Sequence, residues 1–205
     1  MKKFELTTAF ITNMFGPKLF RIRALVEFGD VEAGELGGYV EKESNLGHDG
    51  NAWVCGNAWV CGNAQVSGNA WVCGNAQVSG DARVYDDARV YDDAWVCGDT
   101  RVYGNAWVRG DAQVSGNARV CSDEDYAYAH GFGSVNRTTT FFRLKDGGVG
   151  VRCGCFYGTL AQFRDKIRET HGETKKAQEY LMLADLMELR FEEDENEVGN
   201  RKYVE

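Results

Sequence analysis

The sequence predicts a mainly β protein: a stack of very short strands repeating every six residues, followed by a small α+β module. Three observations carry that expectation. From Gly50 to Cys121 the 205-residue chain reads as twelve consecutive six-residue units without insertion, beginning Gly50-Asn51-Ala52-Trp53-Val54-Cys55. The third position of the unit is Ala in eleven cases and Thr100 in the other, and the fifth is Val in all twelve. After Cys121 the period stops, and a hairpin pattern and two helical patterns follow.

Each unit follows from its residue types. Ala and Val two positions apart fall on one face of a strand, with the residue between them on the other. The two leading positions are Gly or Asp and then Asn or Asp, which accept turns and left-handed backbone angles, so a unit is a strand plus a corner. Ten of the 25 glycines occupy the first phase of this period, and the chain has a single Pro, so the glycine excess is ordered structure and not a disordered linker.

The repeat resembles the hexapeptide-repeat proteins, which form left-handed parallel β-helices with three units per triangular coil. That resemblance implies four regular coils over 50–121 with Ala and Val inside, and outward residues stacked in columns eighteen positions apart. Trp53, Trp71, Arg89 and Trp107 then share one face, and Trp59, Gln77, Trp95 and Gln113 a second. Gln65, Arg83, Arg101 and Arg119 share the third. Five Trp residues on two flat faces suggest an oligomer interface made by Trp53, Trp59, Trp71, Trp95 and Trp107. The family resemblance favours a homotrimer.

Corner columns carry Asn and Asp. Stacked Asn side chains are expected to bond along the edge, and the Asp pairs to be hydrated turn carboxylates, with no metal site expected. Cys55 and Cys73 share a column, and are read as small half-buried fillers.

The flanks divide into five further segments. Residues 1–33 are expected to cap the first coil, with Lys18–Leu25 a half-buried strand, and 34–49 to add one or two degenerate coils. Backward projection of the register puts Val40 and Leu46 in the Ala slot and His48 in the Val slot. Residues 122–134 read as a linker, 135–191 as a ββαα module, and 192–205 as an acidic frayed tail. In the module, Thr138–Leu144 and Val149–Phe156 pair across Lys145-Asp146-Gly147-Gly148, with Cys153 and Cys155 facing one side of a strand. Thr159 and Gln162 form a capping box for a helix ending at Gly172, and a second helix starts near Lys175. The whole arrangement looks like uncharacterised phage and prophage proteins with hexapeptide repeats.

Composition narrows the function. A net charge of −8, from 31 acidic and 23 basic residues, argues against binding extended nucleic acid. No apolar run reaches the ~18 residues of a membrane-spanning helix. Met1-Lys2-Lys3-Phe4-Glu5 leads into mixed residues, so no signal peptide is expected. The expectation is a protein of the bacterial host cytoplasm, with reduced thiols, no membrane association and no cofactor.

Against that acidic background, Ser134, Asn136, Arg137, Thr138, Thr139, Thr140, Arg143 and Lys145 form a stretch with three bases and no acid. Guanidinium forks and hydroxyls suit phosphate oxygens, so the stretch is the expected site for a small anionic ligand such as a nucleotide. The phage resemblance implies a non-enzymatic binding protein, for instance an anti-defence protein that sequesters a nucleotide signal or blocks a host protein. The wider hexapeptide superfamily implies two alternatives. One is an acyltransferase using an acyl-CoA donor, with His130 as its base; the other is a purely structural scaffold.

Overall fold

The computed structural model describes residues 1–12, 16–133 and 135–192. Ser134 and the expected tail beyond residue 192 lie outside them. Three strands open the chain, β1 (Phe4–Thr12), β2 (Lys18–Ala24) and β3 (Leu36–Val40). Twelve two-residue strands follow, one per hexapeptide, from β4 (Trp53–Val54) to β15 (Arg119–Val120). The chain ends in β16 (Tyr126–Phe132), β17 (Arg137–Arg143), β18 (Val149–Cys153), β19 (Phe156–Thr159), α1 (Leu160–His171) and α2 (Lys175–Phe191).

The short strands pair in parallel with partners eighteen residues on, as in Trp53↔Trp71, Trp59↔Gln77 and Gln65↔Arg83. Three hexapeptides therefore close one coil, and the result is a parallel β-solenoid with three flat faces. On one face β3 adds a fifth strand to the stack. Every Val of the repeat and every Ala of its third position has no solvent exposure. Thr100 fits the same slot because its hydroxyl donates to the Cys97 carbonyl at 2.6 Å. Asp86 and Asp92 take the corner Gly position at φ of 59° and 60°. Their carboxylates accept from the Gly104 and Gly110 amides of the next coil, which holds that conformation. Along the edges Asn63, Asn69 and Asn75 donate to Asp81, Asp87 and Asp93 at 3.0–3.1 Å.

Stacking in one direction leaves the two ends of the solenoid chemically different. Each coil donates its amides to carbonyls of the coil after it, as Trp53 N does to Ala70 O at 3.0 Å. The first coil thus has orphan carbonyls, and the last has orphan amides. Lys3 Nζ donates to Gly50 O and Ala52 O, and Asn45 Nδ2 to Gly62 O and Ala64 O. At the far end Asp123 accepts from Trp107 N, Thr140 Oγ1 from Gln113 N, and Asp125 from Cys121 N. Donor side chains close one end and acceptors the other, as buried backbone groups require.

The N-terminal register differs from its projection. Val40 pairs with Val60, and Leu46 bridges Val66, so both lie in the Val column and not the Ala column. The spacing is twenty and not eighteen, because the corner between Leu46 and Ala52 holds two extra residues. His48 therefore lies outside the core slot. Its ring stacks on Phe4 at 4.5 Å, accepts from Lys3 N and bonds Glu43 at 2.9 Å.

The expected linker is instead the strand β16, and the C-terminal module is a four-stranded antiparallel sheet in the order β16-β17-β18-β19 with two helices. Val149–Phe156 is not one strand, because Gly154 at φ +60° turns the chain between Cys153 and Cys155, which do not share a strand face. Cys153 is half-buried and Cys155 exposed. One face of this sheet covers the end of the solenoid through Tyr126, Phe142 and Leu144, which join the solenoid core. The other face packs Phe141 and Val151 against Phe163, Ile167, Tyr180 and Ala184 of the helices. The Thr159–Gln162 capping box is formed, and Gly172 ends α1 as expected.

Cys55 and Cys73 are joined in a disulfide with Cα atoms 4.7 Å apart. This departs from the expectation of reduced thiols, and the reason is geometric. In-register parallel strands lie ~4.8 Å apart, inside the Cα range of ~4.4–6.8 Å that a disulfide accepts. Of the seven cysteines, these two alone are separated by one full coil.

Candidate functional site

Alternation along β17 divides the expected anion-binding stretch between two faces of its sheet. Thr138, Thr140 and Phe142 turn toward the solenoid, whereas Arg137, Thr139, Phe141 and Arg143 turn toward the helices. Thr140 has no exposure and serves as the acceptor for Gln113 N. Thr139 is equally buried and donates to Cys153 Sγ at 3.2 Å. Arg143, 3 % exposed, reaches Asp125 at 3.6 Å, donates to the Gly147 and Phe191 carbonyls, and lies over the Phe191 ring. It cements the sheet to α2. Lys145 is exposed, and its backbone amide bonds Asn117 O at the solenoid end. Asn136 occupies the hairpin turn at φ 51°. Thr139, Thr140 and Arg143 are thus structural, a correction to the sequence expectation.

Arg137 is the member left at an open site. It lies at one end of β17, six residues or ~20 Å of extended strand from Arg143. The guanidinium rests across Gly154, where a β-carbon would collide with it. Together with Lys166 and His171 of α1 it edges a recess of about 230 Å³ between the β18–β19 turn and the two helices. Phe156, Phe163, Ile167 and Tyr180 supply apolar walls, and Cys153 and Cys155 lie at the rim. Tyr180 is held from two sides: its ring stacks on His171 at 5.9 Å, and its hydroxyl lies 3.8 Å from Cys153 Sγ. Gly133 makes room for this ring, and its amide bonds Glu179. Lys166 is paired with Glu169 at 2.7 Å, so Arg137 is the cation that an organic anion would meet at the rim while its carbon skeleton is buried. Sequence alone did not place Lys166 or His171 beside Arg137, because only the fold brings the last turns of α1 to the tip of a strand.

His130 has partners that sequence alone could not assign. Nδ1 lies 2.9 Å from Thr138 Oγ1 and 3.9 Å from Asp111, with 60 % of the side chain exposed. Among the described residues no cluster of three or more His, Cys, Asp and Glu side chains is arranged to hold a metal ion, and no helix is long and apolar enough to cross a membrane.

The Trp residues differ in their surroundings. Trp53 is completely buried, edge-on to Phe28 at 5.4 Å, so the N-terminal cap removes it from any interface. Trp59, Trp71 and Trp95 are half-buried, and Arg152 of the C-terminal sheet covers Trp95. Trp107 is 42 % exposed, with Arg89 over its ring at 5.1 Å.

The chain matches a family described as the YdcK beta solenoid repeat over residues 64–80, 76–92, 82–98 and 112–121. No curated protein matches it. The match falls on the hexapeptides alone, and with the eighteen-residue parallel register it identifies the chain as a β-solenoid repeat protein closed at both ends by its own flanks.

Proposed function

We propose that this chain is a non-enzymatic binding protein of the hexapeptide-repeat, phage and prophage type, in which the solenoid is a rigid mount and the helical recess captures a small anionic ligand. The observation that supports the reading is the convergence of Arg137, Lys166 and His171 on the rim of an apolar recess, in a chain of net charge −8. A phosphorylated nucleotide has the matching character, a flat apolar portion joined to a compact charge. Sequestration of such a signal, as in interference with host defence, requires binding without turnover.

Isothermal titration with a panel of cyclic and ADP-ribose-type nucleotides tests this. The expected result is binding to at least one member that weakens by about tenfold or more in Arg137→Ala, the scale of a lost charge-assisted pair. Absence of heat with every member, or binding that Arg137→Ala leaves unchanged, overturns the recess as the site. The mount is also proposed to be oligomeric, through the face of Trp71, Arg89 and Trp107. A monomer at micromolar concentration in sedimentation velocity removes that part of the reading.

A further inference from the structure

The third face of the solenoid carries a second recess, on a different element and with no residue in common with the first. Column stacking on this face places Tyr85 on Tyr103 with ring centroids 5.3 Å apart and planes 6° from parallel. The next position up the same column is Ser67, one coil away, whose side chain is too small to continue the stack. The aromatic ladder therefore stops at Tyr85, and a recess of about 350 Å³ opens above it, lined by Gln65, Ser67, Arg83, Tyr85 and Arg101.

Two guanidinium groups border that space. Arg83 and Arg101 are in-register neighbours on adjacent coils, which sets their backbones ~4.8 Å apart. The next arginine of the column, Arg119, is buried and held by Asp99 at 3.3 Å and by three backbone carbonyls. Among the described residues neither Arg83 nor Arg101 is ion-paired with a carboxylate, and Arg101 is hydrogen-bonded to the Tyr85 hydroxyl, which holds its guanidinium beside the ring. Two like charges in register favour an anion between them.

We propose that this recess is a nucleotide site, in which a planar base continues the Tyr103–Tyr85 stack into the space above Ser67 and its phosphate bridges Arg83 and Arg101. A base on a tyrosine face is a sequence-tolerant, sizeable contact, and parallel guanidinium forks fit phosphate oxygens. Gln65 and Asp86 at the rim offer polar groups to the base edge. The geometry sets the ligand class: the ring and the charge have to belong to one small molecule.

The test is isothermal titration of the full chain with AMP and UMP, and with adenosine and inorganic phosphate as separate arms. Ser67→Tyr is the decisive variant, because Tyr stands at the same position of the repeat in other coils and the substitution fills the recess by extending the ladder. Circular dichroism checks that it folds. The expected result is that AMP or UMP binds, that Ser67→Tyr and Arg83→Gln each weaken binding by about tenfold or more, and that Arg137→Ala does not. Adenosine and phosphate alone are expected to bind more weakly than AMP. The proposal is overturned if neither nucleotide binds, if Ser67→Tyr leaves binding unchanged, or if phosphate or adenosine binds as tightly as AMP. Loss in Arg137→Ala with no effect of Ser67→Tyr assigns the ligand to the helical recess instead.

Discussion

Lys3 illustrates how one residue answers a problem set by the whole stack. The carbonyls of Gly50 and Ala52 face the open end of the first coil, and the Lys3 ammonium bonds both, at 3.2 and 2.8 Å. Burial lowers its pKa from 10.5 to about 8, opposed by the nearby Asp49. Below about pH 8 the group is charged in both folded and unfolded chains, and the desolvation cost is fully present. Between about 8 and 10.5 the unfolded chain binds more protons, so stability rises with pH across that window and the cost is gone above it. Urea unfolding is expected to show wild type gaining on Lys3→Met as pH is raised from about 7.5 to 10, the window set by that lowered pKa. Near neutral pH, Lys3→Met is expected to cost about 1–3 kcal/mol, because it orphans the buried Ala52 carbonyl and removes the bond to the partly buried Gly50 carbonyl. Arg143→Met removes the cation that faces the Asp125 carboxylate, which is 2 % exposed and keeps its amide and hydroxyl donors, and is expected to cost about 3–5 kcal/mol. Arg137→Ala is expected to leave the thermal midpoint unchanged, so the two arginines are separable by melting alone.

Among the elements, the hexapeptide strands were legible and the C-terminal strands only in part. Ala at the third position and Val at the fifth give a period of two inside a period of six, and neither helix nor loop satisfies both. The Thr159–Gln162 capping box and the stop at Gly172 likewise marked the ends of α1. Strand β16 was missed because its alternation of Tyr and Ala carries little hydrophobic contrast, and the acidic run before it reads as solvent-exposed chain. That run is an acceptor set for the amides of the last coil, a role defined only once the coils are stacked. The Cys153–Cys155 turn was missed because a glycine inside an apolar run marks a turn or a strand with equal ease. The Cys55–Cys73 disulfide is testable at this scale. The unreduced, denatured chain is expected to yield five thiols with Ellman's reagent and seven after reduction. Reduction is expected to lower stability by about 3 kcal/mol, since the bond closes a loop of one coil.

At the scale of the whole molecule, the solenoid is a polar object: carbonyls emerge at one end and amides at the other. The flanks match that polarity, with Lys3 and Asn45 as donors and Asp123, Asp125 and Thr140 as acceptors. The consequence for function is that, of the hydroxyls of β17, Thr140 is committed to closing the stack and Thr139 to the helix-facing side of the sheet. By itself the sequence determined the coil: a period of six, small residues inside, and left-handed corners at Gly and Asp. These are local properties, repeated twelve times and mutually reinforcing. Only the tertiary structure decided which arginines are structural and which border a recess, that Trp53 is buried beneath the cap, and that Lys166 and His171 meet Arg137. The physical reason is that each of these depends on what covers an end or a face, and that is set by packing between segments far apart in the chain.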